Sequence, residues 1–235
     1  MKLKAALVDM GGVLIDFAGG RGLPVGRADW RGREALLHHL EARGARIDLE
    51  GLESELFAPW FREYRCRDER GRDAAWDPHL KRLRKRTGVR THSATLLRLW
   101  FRPFAEQLQP LPGVAGALER IARRGIKLSL ISNVPLPGCL YRDVLRKCQL
   151  DQYFESLHFS YDEGSRKPSP AMLRDALAGL GVPAISAIMI GDRRDVDIVA
   201  GRAAGTVTAW VRSDDGGGPD ADLVIDSLSD LPDLV

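Results

Sequence analysis

Four short stretches carry residues whose types suit chemistry on an anionic group. Asp9 closes the apolar run of residues 5–8 and precedes Met10-Gly11-Gly12. A carboxylate there can act as a nucleophile or hold a metal, and glycines let backbone N–H groups approach an anion. Taken alone, the same residue reads as a turn or cap aspartate. Ser132-Asn133 follows the run IKLSLI and offers a hydroxyl and an amide, a pairing that also caps helices. Lys167, inside SRKPSP, is followed by prolines that fix the local backbone, although an isolated lysine is ordinarily solvated. The segment GDRRDVD places Asp192, Asp195 and Asp197 after another apolar run. Oxygen ligands of this kind suit a hard cation, and acids in that position also complement the N-terminus of a helix.

The flanking patterns say which elements must hold these residues. Lys4–Val8 is short, apolar and bounded by glycine, as a buried parallel strand is. From about Arg27 to Gln109 the spacing is helical, with candidate helices at Asp29–Arg43, Asp48–Tyr64, Asp77–Arg86 and Thr91–Gln107, and no strand is expected there. From Leu111 onward, strands at Ile126–Ser132, Ser156–Ser160, Ala187–Ile190, Thr206–Val211 and Leu223–Ile225 alternate with amphipathic helices. The last helix of that series carries Val196, Val199, Ala200 and Ala203 and stops at Gly205. This alternation predicts a parallel sheet covered on both faces. In such sheets ligands sit beyond the carboxyl ends of the strands. Asp9, Ser132 and Asp192 all fall there, and Lys167 falls in the loop beyond the third strand.

The 235 residues and 26.0 kDa fit one large α/β domain, or a core with a smaller insertion. With 44% hydrophobic and 29% charged residues, the composition is that of a globular chain and argues against disorder. No apolar run approaches the roughly 20 residues that cross a bilayer. The first strand begins almost at Met1, which leaves no room for a signal peptide ahead of it. Cys66, Cys139 and Cys148 show no CxxC spacing and are expected to be reduced thiols in a cytoplasmic protein. The net charge of +3 is uneven: residues 60–102 hold 13 Lys/Arg against 5 Asp/Glu, a net of +8, and the rest of the chain carries −5. Such a block reads either as a solvated helix face or as a surface for an anionic partner. No recognised nucleic-acid module accompanies it, so no nucleic-acid partner and no membrane partner are expected. The five histidines show no metal-ligand spacing.

Taken together and in order, LVDMGGVL, LSLISN, SRKPSP and IGDRRDVDIVAGRAAG resemble the motifs of the haloacid dehalogenase superfamily of hydrolases. The resemblance implies an α/β core, a Rossmann-like parallel sheet with helices on both faces, over residues 1–20 and 110–235. It implies an inserted all-α cap with flap and hinge over 21–109, with Gly11–Asp29 including the hinge and flap. By the same resemblance Asp9 is the nucleophile that forms an aspartyl-phosphate. Ser132 hydrogen-bonds the transferring phosphoryl oxygens, and Lys167 balances their charge. Mg2+ would be held by Asp9, the backbone carbonyl of Gly11 and Asp192, with Asp197 supporting the metal's water or the lysine. Gly11, Gly12 and Asn133 would touch the bound phosphate, and Asp195 is surface charge. The physics agrees, because two carboxylates facing a phosphate repel one another until cations offset them.

One position departs from the family pattern. Its phosphatases usually carry a second aspartate two residues after the nucleophile, which protonates the leaving oxygen and later activates water. Here that residue is Gly11. General acid–base help is typically worth about 10²–10⁴-fold. The expected function is a magnesium-dependent phosphomonoesterase for a small phosphorylated or carboxylated metabolite. The alternatives are a metal-independent 2-haloacid dehalogenase-like hydrolase, whose halide leaves unprotonated, and a catalytically weak phosphate-binding or regulatory protein. The stripes Leu52, Leu56, Trp60, Tyr64 and Leu96, Trp100, Phe104 are expected to be core of the helical insert rather than ligand-stacking groups. Any of Arg62, Arg65, Arg67, Arg70 and Arg72 that faces the site could hold a second anionic group bidentately. The oligomeric state is left open by the sequence.

Overall fold

The computed structural model describes residues 3–17, 25–213 and 217–233. The chain enters through β1 (Ala5–Val8) and β2 (Ile15–Phe17), and the described residues that follow form α1 (Val25–Glu41), α2 (Leu49–Leu52), α3 (Ala58–Arg65), α4 (Arg67–Arg70), α5 (Asp77–Thr87) and α6 (Ser93–Ala105). It returns through β3 (Leu108–Pro110), α7 (Val114–Arg123), β4 (Lys127–Ser132), α8 (Gly138–Lys147), β5 (Ser156–Phe159) and α9 (Ser160–Glu163). The last part holds α10 (Ala171–Leu180), β6 (Ala187–Gly191), α11 (Val199–Ala204), β7 (Val207–Val211) and β8 (Leu223–Ile225). The boundary expected between residues 20 and 21, and part of the flap, lie outside the described residues.

The sheet follows the order β5-β4-β1-β6-β7-β8, and every pairing in it is parallel. β1 is central, with Val8 opposite both Leu130 and Ile190. Its side chains divide between two layers, as a strand period of two requires. Ala6 and Val8 belong to the cluster that includes Leu118, Leu140 and Val144, whereas Ala5 and Leu7 join Met172, Leu173 and Ala176 of α10. Both faces are therefore buried, which explains why the strands read as unbroken apolar runs. Because all six strands are parallel, β1, β4 and β6 end on the same edge, and the expected site residues are brought together there.

Two expectations need correction. A strand does occur within Arg27–Gln109: β3 begins at Leu108 and pairs antiparallel with β2, Ile15 opposite Pro110 and Phe17 opposite Leu108. Three-residue strands are too short to display alternation, and the terminal proline of LQP is tolerated because this two-stranded ribbon is all edge. The ribbon joins the helical insert to the sheet. The single helix expected at Asp48–Tyr64 is interrupted by a π-helical turn at Glu53–Phe57, just ahead of Pro59, whose missing amide cannot complete a regular helical ladder. A second π turn, Arg194–Ile198, replaces the first turn of the helix expected around Val196.

The helical layer has a core of its own. Leu52, Leu56, Trp60 and Leu96 are buried, and the Trp60 and Trp76 rings stack 4.0 Å apart. It is tied to the sheet by Trp76, whose Nε1 donates to the Pro135 carbonyl (2.9 Å) and whose amide donates to the Tyr161 hydroxyl (3.2 Å). Buried Asp73 adds a second tie, accepting from Ser160 of α9 and from Arg166. No helix of the described residues is long and apolar enough to cross a membrane.

Candidate active site

Lys167 is the hinge of the electrostatics at the sheet edge. Its side chain is 1% exposed, and its Nζ donates to Asp9 Oδ1 and to the Ile131 carbonyl, each at 2.7 Å, while lying 2.7 Å from Asp197 Oδ1. Two hydrogen bonds and a second carboxylate at ion-pair distance compensate the buried ammonium. Its main chain is clamped by Asn133, whose Oδ1 accepts from the Lys167 amide (2.9 Å) and whose Nδ2 donates to the Lys167 carbonyl (2.8 Å). Asn133 thus holds the Lys167 loop while bordering the cavity.

Asp197 approaches through the π turn that follows β6. Its Oδ2 accepts from the Arg193 amide (3.0 Å). A Cβ built at Gly191 would lie 2.3 Å from the Asp197 side chain, so only glycine leaves room for that carboxylate beside the strand. Asp9 is seated by its own amide, which donates to the Ile190 carbonyl (2.9 Å). Gly12 has φ +72° and its amide donates to Ile15 O (3.0 Å). The Gly12 amide thus helps to shape the turn into β2, and the residue also borders the cavity. Gly11 borders the same space, and a Cβ there would meet nothing within 4 Å.

Asp9, Asp192 and Asp197 offer oxygens that lie within 4.8 Å of one another, and all three residues are at least nine-tenths buried. Burial pushes the Asp9 carboxyl above its ordinary range, with Asp192 adding to the shift and Lys167 opposing it. Burial likewise pushes Asp197 up to about 6, against the pull of Lys167. Burial disfavours the Lys167 ammonium, but Asp197 and Asp9 more than offset it and hold its pKa above that of a free lysine. Lys167 is the buried ammonium of the cluster, and the Arg193 guanidinium also feels Asp197 and Asp192. The hard oxygens of the three carboxylates fit a small divalent cation.

The cluster floors a cavity of about 570 Å³ between the sheet edge and the helical layer. Ser132 and Asn133 border it at the end of β4, so every expected site residue faces one space. Of the five arginines singled out in the insert, only Arg67 borders it. Arg166 and Arg193 were not anticipated as lining residues, although both sit beside expected site residues in the sequence. Arg166 answers to Asp73 and Asp68, and Arg193 to Asp195 (2.6 Å), which confirms Asp195 as an exposed partner outside the cluster. The aromatic stripes divide: Trp60 is core, whereas Tyr64, Trp100 and Phe104 also form cavity wall. A separate groove of about 250 Å³ between α6 and α8 carries the exposed pair Arg98–Asp143 and no comparable cluster.

A family model for haloacid dehalogenase-like hydrolases matches residues 3–205. Among curated proteins, a phosphoglycolate phosphatase (plasmid) of Cupriavidus necator is 36% identical over 129 residues, 53% of this chain and 54% of that protein. The chain spans about half the length of the first such relatives it matches. Among solved structures, a HAD phosphatase from Thermococcus onnurineus aligns with TM-score 0.67 and 20% identity, covering 99% of this chain and 97% of that one. A 2-haloacid dehalogenase from Pseudomonas syringae pv. Tomato DC3000 aligns with TM-score 0.65 and 25% identity, again over 99% and 97%.

Proposed function

The chain belongs to the haloacid dehalogenase-like hydrolase family, and from that premise we propose that it is a cytoplasmic, magnesium-dependent phosphomonoesterase acting on a small phosphorylated metabolite. The observation that carries the reading is Lys167, held between Asp9 and Asp197 beside Asp192. Magnesium, held by Asp9, Asp192 and the Gly11 carbonyl, would supply the positive charge that lets phosphate approach two carboxylates. Asp9 attacks phosphorus, and the resulting aspartyl-phosphate is opened by water. Lys167 neutralises a phosphoryl oxygen and keeps Asp9 oriented. Ser132 donates to another phosphoryl oxygen, and Asn133 fixes the lysine's backbone. Asp197 holds the ammonium from the far side.

Phosphate release from a broad phosphomonoester panel is expected to require magnesium and to stop on chelation. Release that is indifferent to chelation, or absent with every ester, overturns the reading. The runner-up, a metal-independent 2-haloacid dehalogenase-like hydrolase, draws support from the similar Pseudomonas structure, and its halide would need no acid, but Gly11 stands where that subgroup usually carries an aromatic. Against the runner-up also stands the three-carboxylate cluster, which favours a cation. Halide release from 2-haloacids in the presence of chelator is the outcome that would favour it.

Gly11 also yields a gain-of-function prediction. The space around its would-be Cβ is open, and its φ is not in the left-handed region. Gly11→Asp is therefore expected to fold normally and to raise turnover of alkyl phosphates at least about tenfold, toward the range typical of general acids. A fall for every ester would mean that the cavity needs the glycine sterically.

A further inference from the structure

Resting on the phosphatase reading, we propose that this site is built for aryl phosphates: phosphomonoesters of an aromatic hydroxyl, whose ring lies on the aromatic wall and whose oxygen departs unprotonated. Two independent features of the cavity lead there, one from its wall and one from its proton donors.

Opposite the Asp9–Lys167 floor, the wall is formed by Tyr64, Trp100, Phe101 and Phe104 of the helical layer, with Phe17 and Leu108 of the ribbon. These rings are held in place rather than loosely packed. Trp100 Nε1 donates to Asp29 Oδ1 at 2.8 Å. Tyr64 stacks on Trp60 at 4.9 Å and 21°, with the Arg67 guanidinium 3.8 Å from its ring centroid. A preformed, mostly aromatic enclosure beside a charged floor suits a flat apolar group carrying one anionic end. A short polar phosphate ester would leave that wall uncovered.

The proton inventory points the same way. Among the described residues bordering the cavity, the carboxylates are Asp9, Asp192, Asp197 and Asp16. The first three form the cluster, in which Asp197 Oδ2 accepts from the Arg193 amide and Oδ1 lies 2.7 Å from the Lys167 ammonium. Asp16 accepts the Phe17 amide at 2.8 Å through Oδ1. Burial pushes the Tyr141 phenol far above its ordinary value, so it is a weaker donor than a free tyrosine. Among the described residues, glycine at position 11 leaves no carboxyl two residues past Asp9, where an acid for the departing oxygen would stand. A phenol ionises near pKa 10, as tyrosine does, whereas an aliphatic hydroxyl lies close to water, about 15.7. A phenolate can leave without help that an alkoxide requires.

The step balances without a general acid. One Asp9 oxygen bonds to phosphorus as the bond from phosphorus to the aryl oxygen breaks. The electron pair stays on that oxygen, and the phenolate takes its proton from bulk water after release. A water oxygen then bonds to phosphorus, the bond from phosphorus to Asp9 breaks, the carboxylate is restored, and both water protons stay on the released phosphate.

The test uses phenyl, benzyl and cyclohexyl phosphates with the full chain and magnesium. Benzyl phosphate has the ring but an alkoxide leaving group; cyclohexyl phosphate has neither ring nor acidic oxygen. The expected result is a first-turnover release of phenol at least about 100-fold faster than that of benzyl alcohol or cyclohexanol, the size of a missing general acid. KM for benzyl phosphate should resemble that for phenyl phosphate and lie well below that for cyclohexyl phosphate. First-turnover release of benzyl alcohol or cyclohexanol within tenfold of phenol overturns the proposal, as does a cyclohexyl KM as low as the phenyl one. Inactivity toward all three, with a small aliphatic phosphate ester still hydrolysed, also overturns it and leaves the phosphatase reading intact. Inactivity toward every ester removes both.

Discussion

Asp9→Asn is expected to lower magnesium-dependent phosphate release by about 10⁴-fold or more, the scale seen when a nucleophile is removed from a site acting as a unit, while the protein stays folded. An amide oxygen at the same place cannot form the phosphoenzyme, so the covalent route closes. The fold should tolerate the change because Asn keeps an acceptor for the Lys167 ammonium, which now donates to Asp9 Oδ1 at 2.7 Å. It also removes a charge that burial and Asp192 already disfavour. Those effects oppose one another, and the net change in stability should be about 1 kcal/mol or less, the size of one ordinary hydrogen bond. Phosphate release and thermal unfolding followed by circular dichroism on the same preparation separate the two consequences. Turnover equal to the parent's would remove Asp9 as nucleophile.

What the sequence could convey here followed from what each pattern physically encodes. β1, β4 and β6 are buried on both faces, so their residues had to be apolar without interruption, and the strands and the polar residues at their ends were legible together. That is why Asp9, Ser132, Lys167 and Asp192 could be expected at one edge. The ribbon of β2 and β3 was not legible, because Ile15–Phe17 and Leu108–Pro110 are too short for a period to repeat and their pairing spans the whole insert. The role of Asn133 was hidden for a related reason. Its partner is the backbone of Lys167, and a main-chain contact leaves no trace in the partner's identity. Tyr64, Trp100 and Phe104 fall at helical spacing, which by itself predicts core. Spacing says which face of a helix is apolar, but not whether that face meets another helix or an open cavity. Arg166 illustrates the same limit: adjacent to Lys167 in the sequence, it is fixed by Asp73 from the helical layer, a pairing that only the folded chain creates.

Lys167→Met should be the most destabilising single change at the site, and its cost should depend on pH in a defined direction. The ammonium is 1% exposed and touches two carboxylates and the Ile131 carbonyl. Methionine fills much of the volume but leaves both acids without their cation, and breaking a buried pair in this way typically costs about 3–5 kcal/mol. Asp197 already sits at about 6 with the lysine present. Without Lys167 its pKa in the folded state must rise further, because the interaction that lowered it has gone; Asp9 moves the same way. A carboxyl whose folded pKa exceeds its unfolded value of 3.8 binds its proton more tightly in the folded state. Acidification therefore favours folding at these groups, and the benefit is lost as pH rises through the folded pKa. The variant's deficit relative to the parent should be largest near pH 8 and shrink steadily as pH falls through 6 toward 4, a comparison that urea unfolding in chelator makes without reference to catalysis. A deficit independent of pH would mean that Lys167 supports the fold through packing alone. Phosphate release should be lost at every pH, because protonating Asp9 restores neutrality to the site only by disabling its nucleophile.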